Sequence, residues 1–329
     1  MSKMCLGCGS LLQCDDKNKS GYIKKELINE EDVICERCYK LKNYGKLSRK
    51  DEVDINKIFN KINGNDLIIY ITDILNINVI NNFSNPILLV LGKKDLLPKS
   101  IKDSKLINFI KSNIIEGNII DIVILSSIEN YNMDQIYSII MKYKKSNNVY
   151  IVGNVNAGKS TFINKFIKNY SHQDINLTIS DVPGTTLDLI SIPINKDLTL
   201  IDTPGILYNN IQGFLTLDQL KRIIPKKEIK PIIYQIESNQ TLMIDEFVRI
   251  DYIKGERNSF TIYTSNAINI NRSKVDSHNK LKDNIKHTFT IENKDIVLNG
   301  LGWIKIIKKA TVDIYLKYDI DIIIRDPLI

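Results

Sequence analysis

No apolar run in the chain approaches the ~20 residues that a helix needs to cross a bilayer. There is also no lipidation motif and no amphipathic basic helix of the kind that lies on a membrane surface. A membrane partner is therefore not expected. No secretory leader is readable either, since a cysteine of metal-ligand type stands already at position 5. Cysteine itself is scarce, with five residues in 329. The expectation is a cytoplasmic, reducing setting in which these cysteines are thiols or ligands rather than disulfides. Long asparagine runs of the prion-like type are missing, although Ile, Asn and Lys are abundant. Tryptophan occurs once, at Trp303, where a packing anchor is expected.

What is present is an ordinary globular composition, 43% hydrophobic and 25% charged, long enough for two or three domains. The net charge of +7 is uneven. Residues 1–48 carry 9 basic and 7 acidic side chains, residues 49–213 carry 17 and 16, and residues 214–329 carry 19 and 15. The excess therefore lies on the outer segments, which favours an acidic partner such as RNA.

Four of the five cysteines fall in two pairs, Cys5-Leu-Gly-Cys8 and Cys35-Glu-Arg-Cys38. Two close thiolate pairs match tetrahedral Zn²⁺, which takes sulfur ligands and has no redox chemistry of its own. A zinc ribbon over residues 1–48 is expected, with Cys14 left over as a free thiol. Arg37, Tyr39, Lys40, Lys42, Tyr44 and Lys46 surround the last ligand. Basic residues interleaved with aromatics suit phosphate contact and base stacking, and equally suit the surface of a module with little core.

The strongest motif lies in the middle. An apolar strand, Val149 to Val152, runs into Gly153-Asn154-Val155-Asn156-Ala157-Gly158-Lys159-Ser160-Thr161, and a helix pattern follows. This is a phosphate-binding loop in its required context of strand, loop and helix. Gly153 and Gly158 let backbone amides approach phosphate oxygens, and the helix N-terminus adds its dipole. Lys159 reaches the β- and γ-phosphates, and the Ser160 hydroxyl is placed for Mg²⁺.

Five near-continuous apolar runs read as buried parallel strands of a doubly wound α/β sheet: 67–72, 87–91, 121–125, 149–152 and 198–201. A sixth strand is plausible at 189–192, and helices are expected at 104–115, 133–143 and 161–167. After the 198–201 strand comes Asp202-Thr203-Pro204-Gly205. The acid there can hold Mg²⁺ through water, and the glycine amide can sense a γ-phosphate. Between the two motifs lies Pro183-Gly184-Thr185-Thr186-Leu187-Asp188, where Thr186, more than Thr185, is positioned to bind Mg²⁺. Together they point to a GTPase. The guanine-reading motif, however, comes before the phosphate loop, as Gly92-Lys93-Lys94-Asp95. Asp95 can accept hydrogen bonds from guanine N1 and N2, and the Lys93 stem can cover the base. Gly92 stands where asparagine is usual. A second base-side loop, Ser126-Ser127, follows the next strand. The motif order implies a circularly permuted GTPase domain over 49–213.

From residue 214 the pattern changes to a helix ending at Pro225 and then to short strand-like runs, an α+β or mostly β domain over 214–329. Between the runs lies a polar stretch, residues 271–286. Lys221, Arg222, Lys226, Lys227 and Lys230 form the densest basic cluster, which Arg249, Arg257, Arg272 and Lys274 could extend as phosphate contacts to RNA.

Through the two cysteine knuckles, the phosphate loop, Pro-Gly-Thr-Thr-Leu-Asp, Asp-Thr-Pro-Gly-Ile, Lys-Glu-Ile-Lys-Pro at 227–231 and Gly-Leu-Gly-Trp at 300–303, the chain resembles the YqeH family of circularly permuted GTPases. The resemblance implies a cytoplasmic factor in small ribosomal subunit assembly, and a monomer is expected. Its ligands would be GTP or GDP, Mg²⁺ and Zn²⁺, and its partner the small subunit and its rRNA. In related GTPases the residue equivalent to Asn156 is a K⁺ ligand. Ile206 occupies the position of the water-orienting glutamine of Ras-like enzymes. Slow, K⁺-stimulated hydrolysis is expected, with Lys159, Asn156 and Thr186 as the catalytic group. The competing expectation is a nucleotide-gated RNA-binding scaffold with negligible hydrolysis.

Overall fold

The structure, a computed structural model, describes residues 3, 5, 12–17, 21–28, 33–36, 62–75, 77, 83–113, 117–171, 189–206, 210–277 and 280–329. In chain order the first elements are β1 (Leu67–Asp73), β2 (Ile87–Gly92), α1 (Asp103–Asn113), β3 (Ile119–Ile124), α2 (Met133–Tyr143), β4 (Asn148–Gly153), α3 (Lys159–Tyr170), β5 (Ile190–Asn195) and β6 (Leu198–Asp202). The chain divides into two compact units, residues 1–94 with 114–208, and residues 95–113 with 209–329.

In the first unit six strands form one sheet in the order β3-β2-β1-β4-β6-β5. All pairings are parallel except β5 with β6. The central strands are buried on both faces, so they read as unbroken runs such as Leu67–Asp73 rather than as alternating patterns. The sheet's alternate residues, including Leu67, Ile69, Ile71, Val149 and Ile151, share a core with Ile136 and Ile140 of α2 and Phe162, Phe166 and Ile167 of α3. The ridge of apolar residues at 162, 163, 166 and 167 is the helical period expected from the sequence. Strand order reverses between β1 and β4, and at such a switch point the strand C-termini open a crevice for a ligand. Near the N-terminus, Cys5, Leu12, Ile23 and Cys35 form a small buried cluster.

The second unit is mostly β. It contains α4 (Leu217–Ile223) and the strands β7 (Ile232–Ile236), β8 (Gln240–Ile244), β9 (Val248–Gly255), β10 (Asn258–Thr264), β11 (Ile270–Lys274), β12 (Ile285–Ile291), β13 (Lys294–Leu298), β14 (Gly302–Ile306), β15 (Ala310–Leu316) and β16 (Ile322–Arg325). They form two five-stranded sheets, β16-β13-β14-β10-β7 and β11-β8-β9-β15-β12. One core joins them, with Phe260, Ile262, Ile296 and Ile304 from the first and Leu242, Ile250, Val312 and Ile314 from the second. α4 starts at a capping box, in which Thr216 and Gln219 satisfy each other's backbone amides.

Two strands depart from the sequence expectation. β11 and β12 lie in the stretch read as polar or left without an element. Both are sheet edges whose side chains are largely exposed; β11 shows no apolar alternation, whereas β12 alternates weakly and turns Phe289 and Ile291 to the core. Trp303 is 1% exposed and stacks on Tyr263, a packing anchor as expected.

Candidate functional site

The phosphate loop is built by the end of β4. Gly153 is there because a Cβ would lie 2.1 Å from the Ile71 carbonyl oxygen of neighbouring β1. Asn156 and Gly158 take left-handed backbone angles, φ 60° and 98°. Asparagine and glycine tolerate that region best, and it curls the loop back towards α3. The Ala157 N–H closes a tight turn on the Asn154 carbonyl at 3.1 Å. Gly158 is the N-cap of α3 and brings no side chain to it, so the first-turn amides point out of the loop as an anion cradle. Lys159 and Ser160 occupy that first turn.

Lys159 directs its ammonium back over the loop, 3.5 Å from the Gly153 carbonyl. Burial pushes its pKa below the ordinary lysine value, and the charge of Asp202 opposes that shift. Asp202 ends β6 at 3% exposure, level with Ile151 of β4. The switch segment after it is joined to the phosphate loop by backbone. Val155 N–H donates to the Ile206 carbonyl at 3.1 Å, and Ile206 N–H donates to the Gly153 carbonyl at 3.0 Å. The Thr203 hydroxyl donates to the Ile151 carbonyl at 2.9 Å. Gly205 fits because a Cβ there would lie 2.8 Å from Val155 Cγ2 and 3.2 Å from Lys159 Nζ. The bridge through Ile206 was not foreseen from sequence. The Ile206 side chain is 4% exposed and its backbone joins the two motifs.

The end of β2 abuts this loop. A Cβ on Gly92 would lie 3.3 Å from the Ala157 carbonyl and 3.4 Å from that of Thr72. A larger residue there needs its neighbours to give slightly, a local reason for glycine. Lys93 has φ 63° and its ammonium pairs with Asp73 at 2.8 Å, an ion pair that fixes the lysine stem. Lys94 N–H donates to the Leu125 carbonyl at 3.0 Å, which ties the loop after β2 to the loop after β3, the two expected on the base side. Ser126 is fully buried and its hydroxyl caps the following turn through Glu129 N–H at 3.2 Å, while Ser127 is half-buried. Asp95 lies in the short 3-10 turn Lys94–Leu96, half-buried. Thr161 continues α3.

Thr185 and Thr186 lie outside the described residues, as do Cys8 and Cys38. Of the four expected zinc ligands, Cys5 and Cys35 come together: both are buried, and the Cys35 N–H donates to Cys5 Sγ at 3.1 Å. Among the described residues no group of three or more His, Cys, Asp or Glu side chains forms a metal site.

The basic cluster is less available than its spelling suggests. Arg249 is 0% exposed and corrects the expectation of a phosphate contact. It pairs with Asp251 at 2.7 Å and donates to the Val275 and Lys280 carbonyls, pinning a loop onto β9. Arg222 pairs with Asp245, and Arg272 donates to the Gln235 carbonyl at 2.8 Å. Lys226, Lys227 and Lys230 are exposed.

A parallel sheet whose switch point carries a Gly-x4-Gly-Lys-Ser loop, joined by backbone to Asp-Thr-Pro-Gly, defines a P-loop GTPase. The family described as "50S ribosome-binding GTPase" matches residues 148–298. The chain is 36% identical to YqeH of Bacillus subtilis, with 92% of each protein covered. It is 23% identical to the Arabidopsis thaliana chloroplastic GTP-binding protein Brassinazole Insensitive Pale Green 2, over 98% of this chain and 62% of that one. It is 28% identical to the Arabidopsis NO-associated protein 1, over 81% of this chain and 57% of that one. The chain belongs to the YqeH family, and it is an enzyme that hydrolyses GTP. GTP, GDP and Mg²⁺ are its ligands. No helix among the described residues is long and apolar enough to cross a membrane.

Proposed function

We propose that this GTPase is a cytoplasmic switch in assembly of the small ribosomal subunit, monomeric, with rRNA as its partner surface. The carrying observation is the bridge between phosphate loop and switch segment, Asn154 with Ile206, which ties phosphate state to the chain leading into the second unit. The match to a ribosome-binding GTPase family supports the ribosomal part, as do the exposed lysines at 226, 227 and 230. The domains are a zinc ribbon at 1–48, the GTPase domain at 49–213 and the C-terminal domain at 214–329. Circular permutation of the GTPase domain is supported by the family match starting at β4, with β1–β3 of the same sheet preceding it.

In this reading residues 153–161 and Gly205 hold the phosphates, while Ser160, Thr186 and, through water, Asp202 hold Mg²⁺. Gly92, Lys93, Lys94, Asp95, Ser126 and Ser127 form the base side, and Thr185 lines the switch. Mg²⁺ supplies charge neutralisation at the β- and γ-oxygens. Lys159 is already desolvated and held beside the loop, so it adds its positive charge without rearrangement. Ile206 is buried and offers no side-chain hydrogen bond to water, and Asn156 would hold a K⁺ ion that, when bound, would supply positive charge beside the phosphates. Cys5 and Cys35 fit Zn²⁺: the N–H donated to Cys5 sulfur is what a thiolate ligand attracts. Cys8 and Cys38 complete the set.

Single-turnover hydrolysis with and without small ribosomal subunits, in K⁺ and in Na⁺, tests this reading. Stimulation by the subunit and by K⁺ is expected. Subunit binding without stimulation would point to the scaffold, and equal turnover in the two salts would remove Asn156 from a K⁺ site.

A further inference from the structure

The segment that follows β6 is anchored to β4 at both ends. At its start Thr203 directs two donors at one acceptor. Its N–H donates to the Ile151 carbonyl at 3.3 Å, and its hydroxyl donates to the same carbonyl at 2.9 Å. The Pro204 carbonyl lies 3.3 Å from that hydroxyl. At the far end the Ile206 N–H donates to the Gly153 carbonyl at 3.0 Å. Thr203 is fully buried. Valine has the same shape and would fill this place without desolvating a hydroxyl, so the hydroxyl is tolerated here only through the bond it makes.

The two anchors do not match the chain between them in length. Carbonyls two residues apart on a strand such as β4 are separated by about 7 Å. The three residue steps from Thr203 to Ile206 would span about 10 Å if extended. The excess bows the chain out of line with the strand, and Pro204 and Gly205 form the bow. From Asp202 to Ile206 every residue is buried except Gly205, which is half-buried. A Cβ on Gly205 would lie 2.8 Å from Val155 Cγ2 and 3.2 Å from Lys159 Nζ, so the bow stands against the phosphate loop and its lysine. Anchors, bow and lysine all belong to the first unit.

We infer that Thr203 is a positioning residue for the γ-phosphate contact: its hydroxyl fixes the near end of the bow, which sets where the Gly205 amide stands beside Lys159 and thereby sets the preference for GTP over GDP. The inference rests on the reading that the Gly205 amide meets the γ-phosphate. Thr203 itself touches no nucleotide in this account and acts through Pro204 and Gly205. Without the hydroxyl, the longer N–H bond is left to hold that end of the bow.

The test compares GDP with a non-hydrolysable GTP analogue. Base, ribose and the first two phosphates are common to both, so a merely structural loss weakens both alike. Displacement of the bow weakens the analogue selectively. Affinities are measured on the full chain for wild type, Thr203→Val, Thr203→Ser and Gly205→Ala. In Thr203→Val the ratio of analogue affinity to GDP affinity should fall by about fivefold, the worth of one buried hydrogen bond, with GDP affinity within about twofold of wild type. Thr203→Ser, which keeps the hydroxyl, should retain the wild-type ratio, and Gly205→Ala should lower it. If Gly205→Ala lowers the ratio but Thr203→Val leaves it unchanged or weakens both nucleotides alike, the positioning role is overturned and the reading of Gly205 stands. If Thr203→Ser lowers the ratio as far as Thr203→Val, the hydroxyl is not the operative group and the inference is overturned. If Gly205→Ala keeps the wild-type ratio, the reading of Gly205 is itself overturned and the inference falls with it. Should Thr203→Val not fold, Thr203→Ala is scored by the same ratio.

Discussion

Gly205 has no room for a side chain, because its Cβ would meet Val155 at 2.8 Å and the Lys159 ammonium at 3.2 Å. Gly205→Ala should strain the loop by about 1–3 kcal/mol and displace Lys159. Phosphate release from GTP should fall by about tenfold or more, as expected for loss of ~1.4 kcal/mol of transition-state stabilisation. Unchanged turnover would show that the loop accommodates the methyl group. Arg249 makes the opposite case, a residue whose spelling suggests binding and whose surroundings dictate structure. Arg249→Met leaves Asp251 buried beside an apolar group, so thermal or urea unfolding should register a loss of about 3–5 kcal/mol. Its removal should leave the salt dependence of any RNA affinity unaltered. A lowered salt slope with little change in stability would restore it as a phosphate contact.

At the scale of elements, the buried parallel strands were legible almost to the residue, since burial on both faces demands unbroken apolar runs such as Ile87–Gly92. The phosphate loop was legible because its chemistry prescribes its spelling. β11 was not, because an edge strand in contact with water needs no apolar face, and β12 carried only a weak alternation ending in Phe289 and Ile291. The Asp73–Lys93 ion pair and the Ile206 bridge were also invisible, since each joins residues that the chain order keeps apart. The paired cysteines were legible as a pattern, and Cys5 and Cys35 do meet. If the proposed ribbon holds zinc, Cys35→Ser should release it and expose the N-terminal cluster to proteolysis while leaving GDP affinity within about twofold of wild type, as expected where mutation effects do not couple. Loss of GDP binding in that variant would mean that ribbon and nucleotide site are not independent.

For the whole molecule, chain order matters more than site geometry. β1 to β3 precede the phosphate loop and Asp-Thr-Pro-Gly follows it, so the chain runs from that segment into the second unit. That same unit also includes residues 95–113, so the chain passes between the two units three times, after residues 94, 113 and 208. A protein wired this way is suited to change what its second unit binds when the γ-phosphate is lost. The most direct test is co-sedimentation of the full chain with separated ribosomal subunits in the presence of a non-hydrolysable GTP analogue, GDP or no nucleotide. The account predicts association with the small subunit in the GTP-analogue state and loss of it with GDP. Equal association in all three states, or association with the large subunit alone, would contradict it.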